Sequence, residues 1–101
     1  MSYYFLARIS VHDPQLYRRY ETRTDDVLRR YGGQVLAVDE DVVLLEGEWS
    51  GTRTVLIRFP DEDAARAWYD SPEYRAIAQH RWHASSADAV LLRGRDEVSP
   101  N

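Results

Sequence analysis

The chain of 101 residues contains no cysteine and no lysine, a single methionine at its first position and a single asparagine at its last. Without cysteine there are no disulfides, no thiolate metal sites and no cysteine nucleophile. All 13 basic side chains are arginines, scattered along the chain, and 17 acidic residues leave a net charge of −4. That balance argues against nucleic acid as a partner. No apolar run approaches the roughly 18 residues of a membrane span. Met1-Ser2-Tyr3-Tyr4 lacks the basic start and long apolar run of a signal peptide. The expectation is a cytoplasmic protein with neither membrane nor nucleic acid as partner.

Apolar residues make up 44% of the chain, which marks it as globular. Its length suits one domain, small enough for burial against a second subunit to add usefully to stability. We assign residues 1–95 to that domain and 96–101 to a disordered tail.

The local pattern alternates between the two regular periods. Tyr3, Phe5, Ala7, Ile9 and Val11 form one apolar row of a strand, while Tyr4, Leu6, Arg8 and Ser10 form a mixed row. Asp13-Pro14 opens a helix, because the carboxylate caps a free N–H and proline has none to lose. Leu16, Tyr17, Tyr20, Thr24, Val27, Leu28 and Tyr31 give that helix one apolar stripe, and Gly32-Gly33 ends it. Gln34 to Val38 and Val42 to Trp49 read as strand, interrupted by the acidic run Asp39-Glu40-Asp41 as a bulge or a tight turn. Ser50-Gly51 marks an antiparallel hairpin into a strand from Arg53 to Phe59, whose Val55, Ile57 and Phe59 share a row. Asp61 caps a helix carrying Ala64, Ala65, Trp68 and Tyr69, and Ser71-Pro72 starts a second one carrying Tyr74, Ile77, Ala78 and Arg81. Asp88 to Arg93 is the last strand, ended by Gly94.

The resulting order is β-α-β-β-α-β: an α+β, ferredoxin-like sandwich in which a four-stranded antiparallel sheet carries its helices on one face. The other face is then bare. It holds Leu6 and Leu56 and, depending on register, Val42 with Leu44 or Val90 with Leu92, more aliphatic surface than a monomer normally exposes. A homodimer packed through the open sheet face follows. Arg8 and Arg58 on that face then need partners such as Glu46 or Glu48, or a ligand.

Tyr17 and Tyr20, Tyr31-Gly32-Gly33, Leu45-Glu46-Gly47-Glu48-Trp49, Arg53, Phe59-Pro60, the block Ala67-Trp68-Tyr69-Asp70-Ser71-Pro72-Glu73-Tyr74, and Arg81 together resemble the bacterial family called domain of unknown function 1330. The resemblance covers nearly the whole chain, and the Ala67–Tyr74 block is its most specific part. It implies the ferredoxin-like fold, membership of the dimeric α/β-barrel superfamily that includes antibiotic-biosynthesis and heme-degrading monooxygenases, and no established reaction. Members of the family commonly follow the glycine pair with two arginines around an aromatic residue. Here Gln34-Val35-Leu36-Ala37-Val38 stands there, so any anionic-ligand role of those arginines is lost.

Tyr17, Tyr20, Trp68 and Tyr74, with Glu46, Arg53 and Arg81, are the candidate pocket residues. Aromatics at helical spacing commonly fill the gap between helix and sheet. The same set around a few convergent charges is also what a small, partly apolar ligand requires. A cross-strand ion pair between Glu46 and Arg53 is the structural account of those two. If one of them lies buried beside the aromatics, its shifted pKa suits it to acid, base or anion-clamp work. His80 and His83, three residues apart on one helix, are the weak metal candidates, with no third ligand marked nearby. His12 reads as a capping or surface residue, and Ser71 as a helix cap with no triad spacing around it. For heme, the resemblance implies a first-strand asparagine together with a tryptophan and an axial histidine. Trp68 and His80 loosely fill two of those roles, while the strand offers Ala7 or Arg8 in place of the asparagine. The favoured expectation is therefore a homodimer that binds or converts a small, partly apolar molecule without a bound cofactor. The alternatives are a non-catalytic structural or regulatory dimerisation module, and a heme or metal protein using His80 or His83.

Overall fold

The computed structural model describes residues 1–95, so the tail expected at 96–101 lies outside the described residues. The elements run β1 (Tyr3–Val11), α1 (Pro14–Arg30), β2 (Gln34–Asp39), β3 (Arg53–Phe59), α2 (Glu62–Asp70), α3 (Pro72–Ala84) and β4 (Ser85–Arg93). The strands form one open antiparallel sheet in the order β2-β3-β1-β4. The ferredoxin-like sandwich is thus present, and its helices cover one face.

Each helix starts where its capping residue predicts. Asp13 accepts a bond from the Leu16 N–H at 3.2 Å, and Asp61 accepts one from Ala64 at 2.8 Å. Gly32, with φ +76°, turns the chain out of α1 in a conformation that L side chains avoid. Ser71 serves two helices at once. Its hydroxyl donates to the Trp68 carbonyl at 2.8 Å, closing α2, and accepts from the Tyr74 N–H at 3.0 Å, opening α3. One residue therefore breaks the helical run and fixes the angle at which Trp68 and Tyr74 meet.

The core lies between the helices and the inward row of the sheet. Phe5, Ala7 and Ile9 from β1 and Ile57 and Phe59 from β3 meet Tyr17, Tyr20, Val27 and Leu28 of α1, with Ala65 and Trp68 of α2 and Tyr74, Ile77 and Ala78 of α3. Trp68 has no exposed surface. Its ring lies 5.1 Å from Phe5, 5.2 Å from Phe59, 5.8 Å from Tyr69 and 4.3 Å from Tyr74. Among the described residues the indole N–H has no hydrogen-bond partner, so the ring is held by shape and ring contacts.

Two expectations for the middle of the chain fail. Val42–Trp49 is not a strand, and no tight hairpin forms at Ser50-Gly51. β3 pairs instead with β2, from Gln34 opposite Arg58 to Asp39 opposite Thr54. β1 occupies the other side of β3, so 42–49 has no edge left on that strand. The run Val42-Val43-Leu44-Leu45 also lacks the alternation of a half-buried strand, and Gly47 at φ +74° breaks extended geometry. The loop is nonetheless anchored at its end. Gly51, at φ +115°, passes so close to Ile9 that a Cβ would stand 3.1 Å from its carbonyl oxygen, and Thr52 N–H bonds that oxygen at 2.8 Å. The bulge sits in β2, between Val35 and Ala37, and not at the acidic run. β4 begins at Ser85, three residues before the expected start, because its pairing with β1 extends to Val11 opposite Ser85.

The bare face of the sheet carries Leu6, Leu56, Val90 and Leu92, in register across β3, β1 and β4. Arg8 on that face pairs with Asp88 at 3.4 Å and stacks 5.1 Å from Trp49. Arg58 Nε donates to the Ser2 hydroxyl at 2.9 Å. Neither uses Glu46 or Glu48 in any described contact. Among the described residues no helix is long and apolar enough to cross a membrane.

Replacing Trp68 with alanine leaves a cavity among rings that cannot collapse into it, and is expected to cost about 3–5 kcal/mol. Ser71→Ala removes both caps and is expected to cost about 1–2 kcal/mol. Urea denaturation checks both values. A Trp68→Ala variant with an unchanged midpoint would contradict the core assignment.

Candidate functional site

The helix layer is narrower than the sheet, and a cavity remains where α1 overhangs the β2–β3 half. It has a volume of about 330 Å³. α1 contributes Tyr17, Tyr20, Glu21, Thr24, Asp25 and Leu28, which recur at three- and four-residue steps and so share one helical face. Val55, Ile57 and Arg53 come from alternate positions of β3, Phe5 and Ile9 from β1, and Arg81 from α3. Val35 and Val38 complete the wall from β2. Three residues apart, they would point to opposite faces of a regular strand. The bulge between Val35 and Ala37 places them opposite Ile57 and Val55, on the same face.

The candidate residues sort into three groups. Tyr17, Tyr20, Arg53 and Arg81 line the cavity together. Trp68 and Tyr74, both without exposed surface, stand behind its wall. The tyrosines and Trp68 form a continuous run from cavity to core. Centroid separations are 5.5 Å for Tyr17–Tyr20, 6.1 Å for Tyr20–Tyr74 and 4.3 Å for Trp68–Tyr74. Tyr20 and Tyr74 share a hydroxyl–hydroxyl bond of 2.9 Å, in which either oxygen can donate. Glu46 is elsewhere: it sits in the loop after β2, beside Val42, Leu45 and Trp49. The expected Glu46–Arg53 pair does not form. Arg53 binds Glu21 and, at 3.1 Å, Glu40, because 42–49 never becomes the strand that was to present Glu46.

His80 and His83 stay outside the cavity, and the His83 Nδ1 lies 2.7 Å from the Gln79 carbonyl on its own helix. Among the described residues no group of three or more His, Asp or Glu side chains could hold a metal ion.

The two arginines at the cavity differ in their surroundings. Arg53, stacked 5.4 Å from the Tyr17 ring, is neutralised by its two carboxylates. Arg81 is only 4% exposed and stacks 5.7 Å from the Tyr20 ring. Burial opposes its charge, whereas the Tyr74 and Tyr20 hydroxyl groups favour it, and the balance lies above the ordinary guanidinium value. Burial, reinforced by Tyr20, pushes the Tyr17 phenol up to about 12 despite the nearby Arg53 and Arg81. Burial pushes Tyr74 higher still. At neutral pH the two phenols are therefore hydrogen-bond donors and not bases.

Sequence reasoning missed Glu21, Asp25, Val35 and Val38. Glu21 was findable, since it stands one helical turn after Tyr17 and faces the same way. Val35 and Val38 were not, because their shared face depends on a bulge that only the pairing with β3 reveals.

Residues 2–95 match the family described as Domain of unknown function (DUF1330). The chain belongs to that family. Among curated proteins, none matches this DUF1330 chain. Solved structures similar to it include RPA0582 of Rhodopseudomonas palustris, a protein of unknown function, with a TM-score of 0.77 at 17% identity over 94% of this chain and 83% of that one. SnoaB of Streptomyces nogalater, described as a cofactor-independent oxygenase, has a TM-score of 0.66 at 22% identity over 97% of both chains. A protein of unknown function from Jannaschia, described as dimeric and ferredoxin-like, has a TM-score of 0.69 at 13% identity over 93% of this chain and 100% of its own. At these identities the likeness shows the fold of the DUF1330 chain and nothing of its chemistry.

The raised phenol of Tyr17 sets an alkaline limit. Between pH 10 and about 12 the unfolded chain has lost this proton while the folded one retains it. Unfolding then releases a proton, and stability falls as pH rises through that window. Tyrosinate absorbance followed against pH should show Tyr17 and Tyr74 ionising last, together with unfolding. Ionisation of all seven tyrosines near pH 10 in a folded protein would contradict it.

Proposed function

We propose that the protein is a homodimer, assembled through the open sheet face, in which each protomer holds a small, partly apolar organic molecule between α1 and the β2–β3 half of the sheet, without a bound cofactor. The observation that carries the ligand reading is the cavity. About 330 Å³ of space is walled by Phe5, Leu28, Val55 and Ile57, with Tyr17, Tyr20, Thr24, two acidic residues and two arginines as its polar side chains. Concave, largely apolar walls with a few placed polar groups are the physical form of a small-molecule site.

Self-association has independent support. Val90 and Leu92 are 51% and 43% exposed on the bare face. Val43 and Leu45 of the neighbouring loop are 83% and 87% exposed. Trp49 joins loop to sheet, donating its indole N–H to Thr54 at 2.9 Å and stacking on Arg8. Loop and sheet face thus make one apolar surface of a kind that monomers rarely leave in water. The Jannaschia protein, described as dimeric, is in keeping with this.

Conversion of the ligand, in the manner of an oxygenase or isomerase, is the enzymatic version of this reading. SnoaB lends it only the precedent that this scaffold accommodates cofactor-independent oxygenase chemistry. In the alternative, a non-catalytic binding module, the Tyr17 phenol, held neutral by burial, serves only as a hydrogen-bond donor to the ligand.

Two measurements test the proposal. Size-exclusion chromatography with light scattering should give twice the chain mass at micromolar concentration, and Leu56→Arg should shift the protein to monomer. A monomeric wild type would remove the dimer. Isothermal titration with naphthalenemethanol, a neutral ring-sized probe, should show binding that Val55→Trp weakens by at least about tenfold by filling the space. Binding unaffected by that substitution would place the ligand elsewhere.

A further inference from the structure

Arg81 is a buried cation at the cavity. It projects from α3 to the cavity wall and is 4% exposed. Among the described residues no carboxylate forms an ion pair with it. The side chains that act on its charge are Tyr74, Tyr20 and Tyr69, all phenols. Its Nε has no hydrogen-bond partner. A guanidinium cannot escape burial by losing its proton. An unpaired buried charge is costly, and a cation–π contact such as that with Tyr20 offsets only part of the desolvation. Arg53 provides the internal contrast: in the same cavity, it is held by both Glu21 and Glu40.

We infer that the cavity selects a ring-sized apolar molecule carrying one acidic group, a carboxylate or an ionised enol or phenol, and that Arg81 meets its negative charge. The planar guanidinium fork suits two parallel bonds to a carboxylate or one strong bond to an enolate oxygen. The Tyr20 hydroxyl, on a residue that lines the same cavity and bonded to that of Tyr74 behind it, lies beside it as a further donor. Phe5, Leu28, Val55 and Ile57 supply the apolar walls for the rest of the molecule. Asp25 on α1 lines the same cavity and repels a multiply charged group more than a singly charged one, so a phosphate is disfavoured against a monoanion. The volume of about 330 Å³ falls near the lower end of the range for small-molecule sites, which limits the ligand to one or two rings.

The inference rests on the ligand-binding reading of the cavity, and one experiment separates the two. Purified full-length protein is titrated calorimetrically with naphthoate and, separately, with neutral naphthalenemethanol, which has the same ring system. Naphthoate is expected to bind at least about tenfold more tightly. Arg81→Met should reduce naphthoate to the affinity of the alcohol, whereas Arg81→Lys, which keeps the charge and not the fork, should retain part of the preference. Circular dichroism establishes that each variant is folded. If Arg81→Met does not fold, the wild-type ratio and Arg81→Lys decide the matter. Equal binding of the two compounds overturns the anion inference and leaves the pocket reading standing. Binding of neither overturns both. A carboxylate preference that survives Arg81→Met removes the assignment to Arg81, and competition by inorganic phosphate at concentrations comparable with naphthoate overturns the selectivity for a monoanion.

Discussion

Everything in this molecule is spaced by the indole of Trp68. It has no exposed surface and is enclosed by Phe5 and Phe59 from the sheet and by Tyr69 and Tyr74 from the helices. A side chain of that size, in a close-packed interior, acts as a rigid spacer between the two layers. The Ser71 hydroxyl holds it there from one direction by closing α2 on the Trp68 carbonyl and opening α3 on the Tyr74 N–H. The break in the helix, the depth of the core and the position of Tyr74 are therefore one constraint.

The cavity follows from that constraint. With Trp68 filling the layer under β1 and β3, α1 is supported on its α3 side and overhangs β2 on the other. The space beneath is walled by side chains already fixed by the core: Tyr20 through its hydroxyl bond to Tyr74, and Arg81 through α3. On one side of the cavity Tyr20 and Arg81 are buried, and on the other Val35 and Val38 of the edge strand are exposed. The bulge in β2 turns both Val35 and Val38 inward.

Much of this was legible in the residues themselves. The caps at Asp13, Asp61 and Ser71, the α1 stripe and the β1 and β3 rows all rest on local chemistry and appear as read. Among the site residues, Tyr17, Tyr20, Arg53 and Arg81 were legible as an aromatic and cationic set. The strand expected at Val42–Trp49 was not realised, and with it went the pairing of Glu46 and Arg53. An apolar run in sequence says that a segment seeks burial, and it does not say against what. In this chain β3 had two candidate partners, and the choice of β2 left 42–49 as a loop with exposed Val43 and Leu45.

The sequence by itself determined where helices begin and end, which rows of the strands are apolar, and the family to which the chain belongs. These depend on neighbours within a few positions, through capping bonds, φ preferences and side-chain period. Only the tertiary structure decided which strand lies beside β3, that Glu21 and Glu40 rather than Glu46 neutralise Arg53, and that Arg81 has no carboxylate partner among the described residues. Those outcomes are differences between competing long-range contacts, each of similar local quality, and no pattern within a few positions of the chain can decide among them.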